Sequence, residues 1–329
     1  MTTFGDGVYQ FGGVPVGSGM IPAMGRTSKA FFIHGGTGTA GGSGSINDPV
    51  KTLTQAYALM TDGSGDVAYI LNDGSTAASV RDVALTWAKD NCHIVGLCAP
   101  SVNQRARIAP PTTETVDIDA YTPYLTLSAS GCIVKNVSWS QGQSANKASI
   151  GIKVSGSRNY FENVSIITGT SQSTADQALT YQLQVTGSEN VFESCWIGQN
   201  TIERGNVASS NLAFGSGAID HAERNLFRNC VFPAKCDGAA PTFICAKAQD
   251  DVGTFNHFDN CDFINTGSSA MTQGILWTAT SGYCFLKNCA FYGLTDITTS
   301  NVAYVKISSN ALGSTGDIGM YGTATTAGG

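Results

Sequence analysis

One motif recurs six times along the chain and limits what it can fold into. Ile133–Trp139, Tyr160–Ile166, Val191–Ile197, Leu226–Phe232, His257–Phe263 and Phe285–Phe291 align over seven positions without a gap. The fourth position reads Asn136, Asn163, Ser194, Asn229, Asn260 and Asn288, at spacings of 27, 31, 35, 31 and 28 residues. Apolar residues flank this polar position in every copy. A second short segment precedes most copies: Tyr124–Leu127, Ile150–Val154, Tyr181–Val185, Phe243–Ala246 and Ile275–Trp277. Several of these alternate apolar with polar, the period of a strand with one buried face. The unit therefore reads strand, turn, strand and a longer variable loop. A period of roughly 30 residues holding short strands fits one coil of a parallel β-helix. Helical repeats would need long stretches of 3.6-residue periodicity, and a leucine-rich repeat would need L-x-x-L-x-L; neither is present.

The coil assigns a direction to each column. The asparagines are expected to form a ladder at an inside turn, each amide bonding the next coil and the local backbone. Val137, Val164, Cys195, Cys230, Cys261 and Cys289 should point inward, the cysteines acting as small apolar groups. Trp139, Ile166, Ile197, Phe232, Phe263 and Phe291 should form a second inward stack. Lys135, Glu162, Glu193, Arg228, Asp259 and Lys287 should face outward, with alternating signs from Glu193 onward that help fix register.

Composition agrees. Charged residues are 13% of the 329, against roughly 25% in ordinary soluble domains. Hydrophobic residues at 42% and aromatics at 9% suffice for a core. Apolar runs are too short to span a membrane. A net charge of −6 argues against nucleic acid as a main partner. Ten cysteines, no C-x-x-C and no leader-like segment suggest free thiols in a reducing compartment.

The ends differ from the middle. Ala30–His34 reads as a strand, residues 35–45 as a glycine-rich loop, and Asn47-Asp48-Pro49 as a helix start with Asp48 as N-cap and Pro49 in the first turn. An apolar stripe of Leu53, Ala56, Tyr57 and Met60 follows, then the strand Asp66–Leu71. This order resembles the N-terminal cap of phage and bacterial-surface right-handed parallel β-helix proteins. The resemblance covers roughly residues 30–310 and implies a right-handed, all-β solenoid of about six or seven coils with an N-terminal helix cap. Residues 1–29 read as an arm, 30–308 as the capped β-helix and 309–329 as a flexible tail.

Candidate chemistry is sparse. The loop at 35–45 lacks the Lys and Ser/Thr of a Walker motif. Glycoside hydrolysis needs two carboxylates about 5–9.5 Å apart. Asp220, Glu223, Asp251, Asp259 and Asp262 are the candidates, with Asp251 and its neighbour Asp250 in a loop able to reach Asp220 or Glu223. The histidines are too scattered for a metal site, and no metal or cofactor is expected. Trp196 is the clearest outward aromatic for stacking on sugar, with Tyr292 and Trp277 behind it. Tyr9 and Phe11 could dock the arm on its own coils or on a partner.

Two readings follow. The resemblance implies a phage virion structural protein, a head decoration, cement or spike protein assembled in the host cytoplasm. It would be a homotrimer contacting the major capsid protein through the arm, with neither nucleic acid nor membrane as partner. The alternative is a tailspike or tail-fibre protein that binds or depolymerises a bacterial surface polysaccharide. A non-catalytic receptor-binding module and a secreted lyase rank below these.

Overall fold

The computed structural model describes residues 28–71, 80–101, 106–111, 122–141, 148–216, 221–247 and 252–308, and the backbone of 10–11, 14–15 and 321–323. The chain winds as a parallel β-helix with three long sheets of eleven, eight and seven strands, in agreement with the expected coil number. Each central coil contributes one strand to each sheet, for example Tyr160–Glu162, Ser165–Ile167 and Tyr181–Val185. The repeated seven-residue motif is thus two strands and not one. It bends at its fourth residue, which joins the first sheet to the second.

The bend explains the asparagines. Asn136, Asn163, Ser194, Asn229, Asn260 and Asn288 all have φ between +50° and +57°. Asparagine tolerates this left-handed conformation better than other residues with a Cβ. In two steps the amide bonds the coil before it: Asn163 donates to Asn136 and Asn260 to Asn229, both at 2.7 Å. Asn229 instead donates to the Glu193 carboxylate at 2.7 Å. Asn229, Asn260 and Asn288 are exposed, so this end of the column stands at an outer corner, whereas Asn136 is buried and donates to the Gly96 and Cys98 carbonyls at 2.9 and 2.8 Å.

The inside turn belongs to other asparagines, one residue before the four central motifs. Asn159, Asn190, Asn225 and Asn256 are at most 1% exposed. Each side-chain oxygen accepts the backbone N–H of the equivalent residue in the preceding coil: Cys132 to Asn159, Asn159 to Asn190, Asn190 to Asn225 and Asn225 to Asn256, at 2.8–3.2 Å. Their amides donate to the carbonyls of Ala129, Gly156, Gly187 and Ala222. Coils meet so closely here that a Cβ on Gly187 would lie 1.9 Å from the Gly156 carbonyl oxygen.

The core is stacked in register. Phe161, Phe192, Phe227 and Phe258 form a column with centroids 4.5–4.7 Å apart and planes within 10°. Phe232, Phe263 and Phe291 form a second, at 4.6 Å per step. These spacings match the separation of neighbouring strands, so burial and ring stacking both follow from the register. The cysteine column lies beside them, and none of the ten cysteines is in a disulfide. Burial pushes the Cys132 and Cys236 thiols up, to about 12 and about 11. Outward, Lys135 pairs with Glu162 at 2.9 Å, Arg228 with Glu193 at 3.5 Å and Lys287 with Asp259 at 3.2 Å.

The N-terminal helix begins later than its sequence suggests. It spans Leu53–Leu59, with Thr52 as N-cap in a capping box with Gln55. Asp48 and Pro49 precede it in a turn that leads Val50 into a bridge with Ile33, and the Asp48 carboxylate accepts the Ser43 N–H. The reciprocal Thr52–Gln55 bonds satisfy the free N–H groups of the first turn. Leu53 and Ala56 enter the main core beside Ile33 and Ile70. At the other end, Tyr321–Thr323 pairs antiparallel with Val305–Ser308, the last parallel strand of the first sheet.

Candidate functional site

Because the inward side chains fill the core, any site must come from outward residues and the loops. The third sheet carries such a place. Tyr181, Ala213 and Cys245 occupy three successive coils and form a small apolar cluster on its outer face, with Ile150 and Leu276 partly buried against it. A groove of about 320 Å³ opens above them, with Leu179, Gln184, Ser216 and Lys247 also on its walls. The Lys247 ammonium lies 5.6 Å from the centre of the Tyr181 ring, within cation–π reach. The Gln184 amide donates to the Gly215 carbonyl at 2.9 Å, which fixes its orientation along the groove. The wall thus combines an aromatic ring, an amide, a hydroxyl and a cation over an apolar floor. That set suits a ligand rich in hydroxyls with one flat apolar face.

The carboxylates foreseen as a hydrolytic pair do not converge among the described residues. Glu223 forms an ion pair with Arg224 and accepts the Thr254 N–H at 2.9 Å. Asp259 pairs with Lys287. These two sit at opposite ends of neighbouring strands, since Asn225 aligns with Asn256 and Arg228 with Asp259. Five residues of strand separate their levels by about 16 Å, beyond either hydrolytic geometry. Asp262 is exposed on the second sheet, beyond the bend at Asn260. Asp220 and Asp251 lie outside the described residues, but each follows a groove residue by four positions, Ser216 and Lys247 respectively. No three His, Cys, Asp or Glu side chains converge on a metal position among the described residues.

The aromatic expectations divide. Trp196 is half-buried on the second sheet, Tyr292 is 66% exposed, and Trp277 is a core residue at 0%. Tyr9 lies outside the described residues, and Phe11 belongs to the short antiparallel pair of Gln10–Phe11 with Val14–Pro15. Sequence reasoning missed Phe255, Tyr283 and Phe285, an outward aromatic group on the first sheet, and Tyr304 beside it at the end of a short 3-10 helix. It also missed the groove, whose walls come from different coils and share no motif. His257 is half-buried on the first sheet's outer face, and burial holds its imidazole below the ordinary range.

Comparison with solved structures places the architecture. A pectate lyase, Pel9A, superimposes with a TM-score of 0.51 at 13% identity, over 81% of this chain and 63% of that one. A rhamnogalacturonan lyase gives 0.50 at 14% identity, over 80% and 69%. The fold is the right-handed, pectate-lyase-like parallel β-helix. A pectin methylesterase in complex with a hexasaccharide matches at a TM-score of 0.49 and 14% identity, over 85% and 93%. No family model matches the chain, and no curated protein matches it in sequence. Nothing in these comparisons links it to virion proteins.

Proposed function

We propose that this chain is a polysaccharide-binding β-helix protein and that the third-sheet groove holds the glycan. The observation that carries the reading is the Tyr181 ring beneath Lys247, with Gln184 and Ser216 on the same wall. A glycan can rest on the apolar floor that Tyr181, Ala213 and Cys245 form while its hydroxyls meet Lys247, Gln184 and Ser216. The shared fold alone assigns no activity. The test is binding to a panel of soluble bacterial surface polysaccharides. Lys247→Ala and Gln184→Leu should each weaken the best binder about tenfold, roughly 1.4 kcal/mol. If wild type binds none of the panel, the reading fails.

Depolymerisation is the second reading, since in the sequence Asp220 and Asp251 each follow a groove residue by four positions. Asp220→Asn and Asp251→Asn should then abolish chain shortening and leave binding intact. The virion placement, the trimer and a capsid contact through Tyr9 and Phe11 belong to a different reading. Imaging of labelled particles tests it: regular density over the capsid lattice supports it, and density at the tail tip alone removes it.

A further inference from the structure

The outer face of the first sheet changes character toward its C-terminal end. Register places Phe255 beside Tyr283, and His257 beside Phe285 and then Lys306. The rings of Phe255 and Phe285 lie 6.0 Å apart, those of Tyr283 and Phe285 5.9 Å, and those of Tyr283 and Tyr304 5.7 Å. Phe255 is 38% exposed and Tyr283 41%. Four aromatic rings therefore form one continuous platform open to solvent. Earlier coils hold Arg158, Glu189 and Arg224 in the leading column, tied together by ion pairs. Exposed aromatic clusters of this kind mark contact surfaces.

The charges around the platform indicate what it contacts. Asp259 is neutralised by Lys287 and Glu193 by Arg228. Lys306 makes no ion pair among the described residues, although it stands next to Phe285 in the same column. The face thus joins partly exposed, mutually tilted aromatic rings, able to meet the C–H side of a sugar, to a cation with no ion pair among the described residues. We propose that this platform is a second glycan-binding site, distinct from the groove, and that it takes an acidic saccharide with its acid group on Lys306. It extends the glycan reading to another face and has its own test.

The test is hydroxyl-radical footprinting of the full chain with alginate oligosaccharides as the acidic probe and dextran oligosaccharides as the neutral one. Alginate should protect Tyr283 and Phe285 from oxidation at least threefold, and dextran should not. Lys306→Gln should shift the protection midpoint about tenfold to higher alginate. Lys247→Ala, in the groove, should leave it unchanged. No protection by alginate overturns the site. Equal protection by dextran overturns the acidic class. Loss of protection in Lys247→Ala overturns the independence of the two sites. Protection that rises with protein concentration alone assigns the face to a second copy of the chain and overturns the proposal. Failure here with the groove variants still weakening polysaccharide binding leaves the groove reading standing.

Discussion

Two asparagine columns run through the central coils of this molecule, at two corners, and they do different work. Asn159, Asn190, Asn225 and Asn256 are buried, and their side chains supply hydrogen bonds that the backbone cannot supply at a turn. Asn136, Asn163, Asn229, Asn260 and Asn288 are set at their corner by the backbone, which must enter the left-handed region, and the last three are exposed. The first column is fixed by buried polar satisfaction, which is costly to lose. The second is fixed by a local torsional preference, which is cheaper. One residue type thus answers two unrelated physical demands.

Substitutions can separate these demands. Asn225→Ala removes an acceptor from the Asn190 N–H and a donor from the Gly187 carbonyl, both in the dry interior. With each orphaned buried group costing about 1–3 kcal/mol, the expected loss is about 4 kcal/mol in denaturant unfolding. A loss below 1 kcal/mol would show that the interior ladder is replaceable by water.

A buried histidine provides a pH-dependent counterpart. His93 is 1% exposed, its Nδ1 accepts the Ile133 N–H at 3.1 Å, and burial pushes its pKa down to about 4. The unfolded chain takes up this proton near 6.5 and the folded one only near 4. Stability from this group is therefore complete above about pH 6.5 and falls as pH drops toward 4. The difference amounts to about 3 kcal/mol. Unfolding curves of wild type and His93→Gln at pH 7 and pH 4.5 should converge at the lower pH. Parallel curves would remove His93 from the account.

The outer corner should respond more weakly. Asn229→Ala should cost about 1 kcal/mol through backbone strain, and Asn229→Gly only a few tenths. If glycine costs as much as alanine, the Asn229–Glu193 hydrogen bond matters more than the torsion. The smallest effect is a gain. Ser194 holds φ +53° in a column otherwise made of asparagine, and Ser194→Asn should add about 0.5 kcal/mol. A melting temperature unchanged or lowered in that variant would mean that the neighbouring corner amides contribute nothing.

Much of the solenoid was readable from period and polarity alone. The outward charged column, the inward cysteine column and the large apolar column from Trp139 to Phe291 follow from alternation along short strands. The interior ladder was equally present in the sequence, one residue before the aligned window, at Asn159, Asn190, Asn225 and Asn256. An alignment anchored on apolar residues passes over it, because a buried asparagine looks like a loop residue until its partners are known. The third strand per coil was hidden by a bend that needs only one residue. Tyr181 and Lys247 carry no local signal for the groove, since they meet through the stacking of coils and not through spacing along the chain. The helix start shifted from Asp48 to Thr52 because a reciprocal box with Gln55 outweighs a lone aspartate before proline.

The reversal at Tyr321–Thr323 bears on how such a molecule behaves at high concentration. A stack of in-register coils is a short segment of a potentially endless filament, and its last parallel strand could template the next molecule. A returning strand of opposite direction presents the wrong polarity and register for that addition. Chain termination is thus written into the same sheet that would otherwise propagate, and length control becomes a property of the monomer.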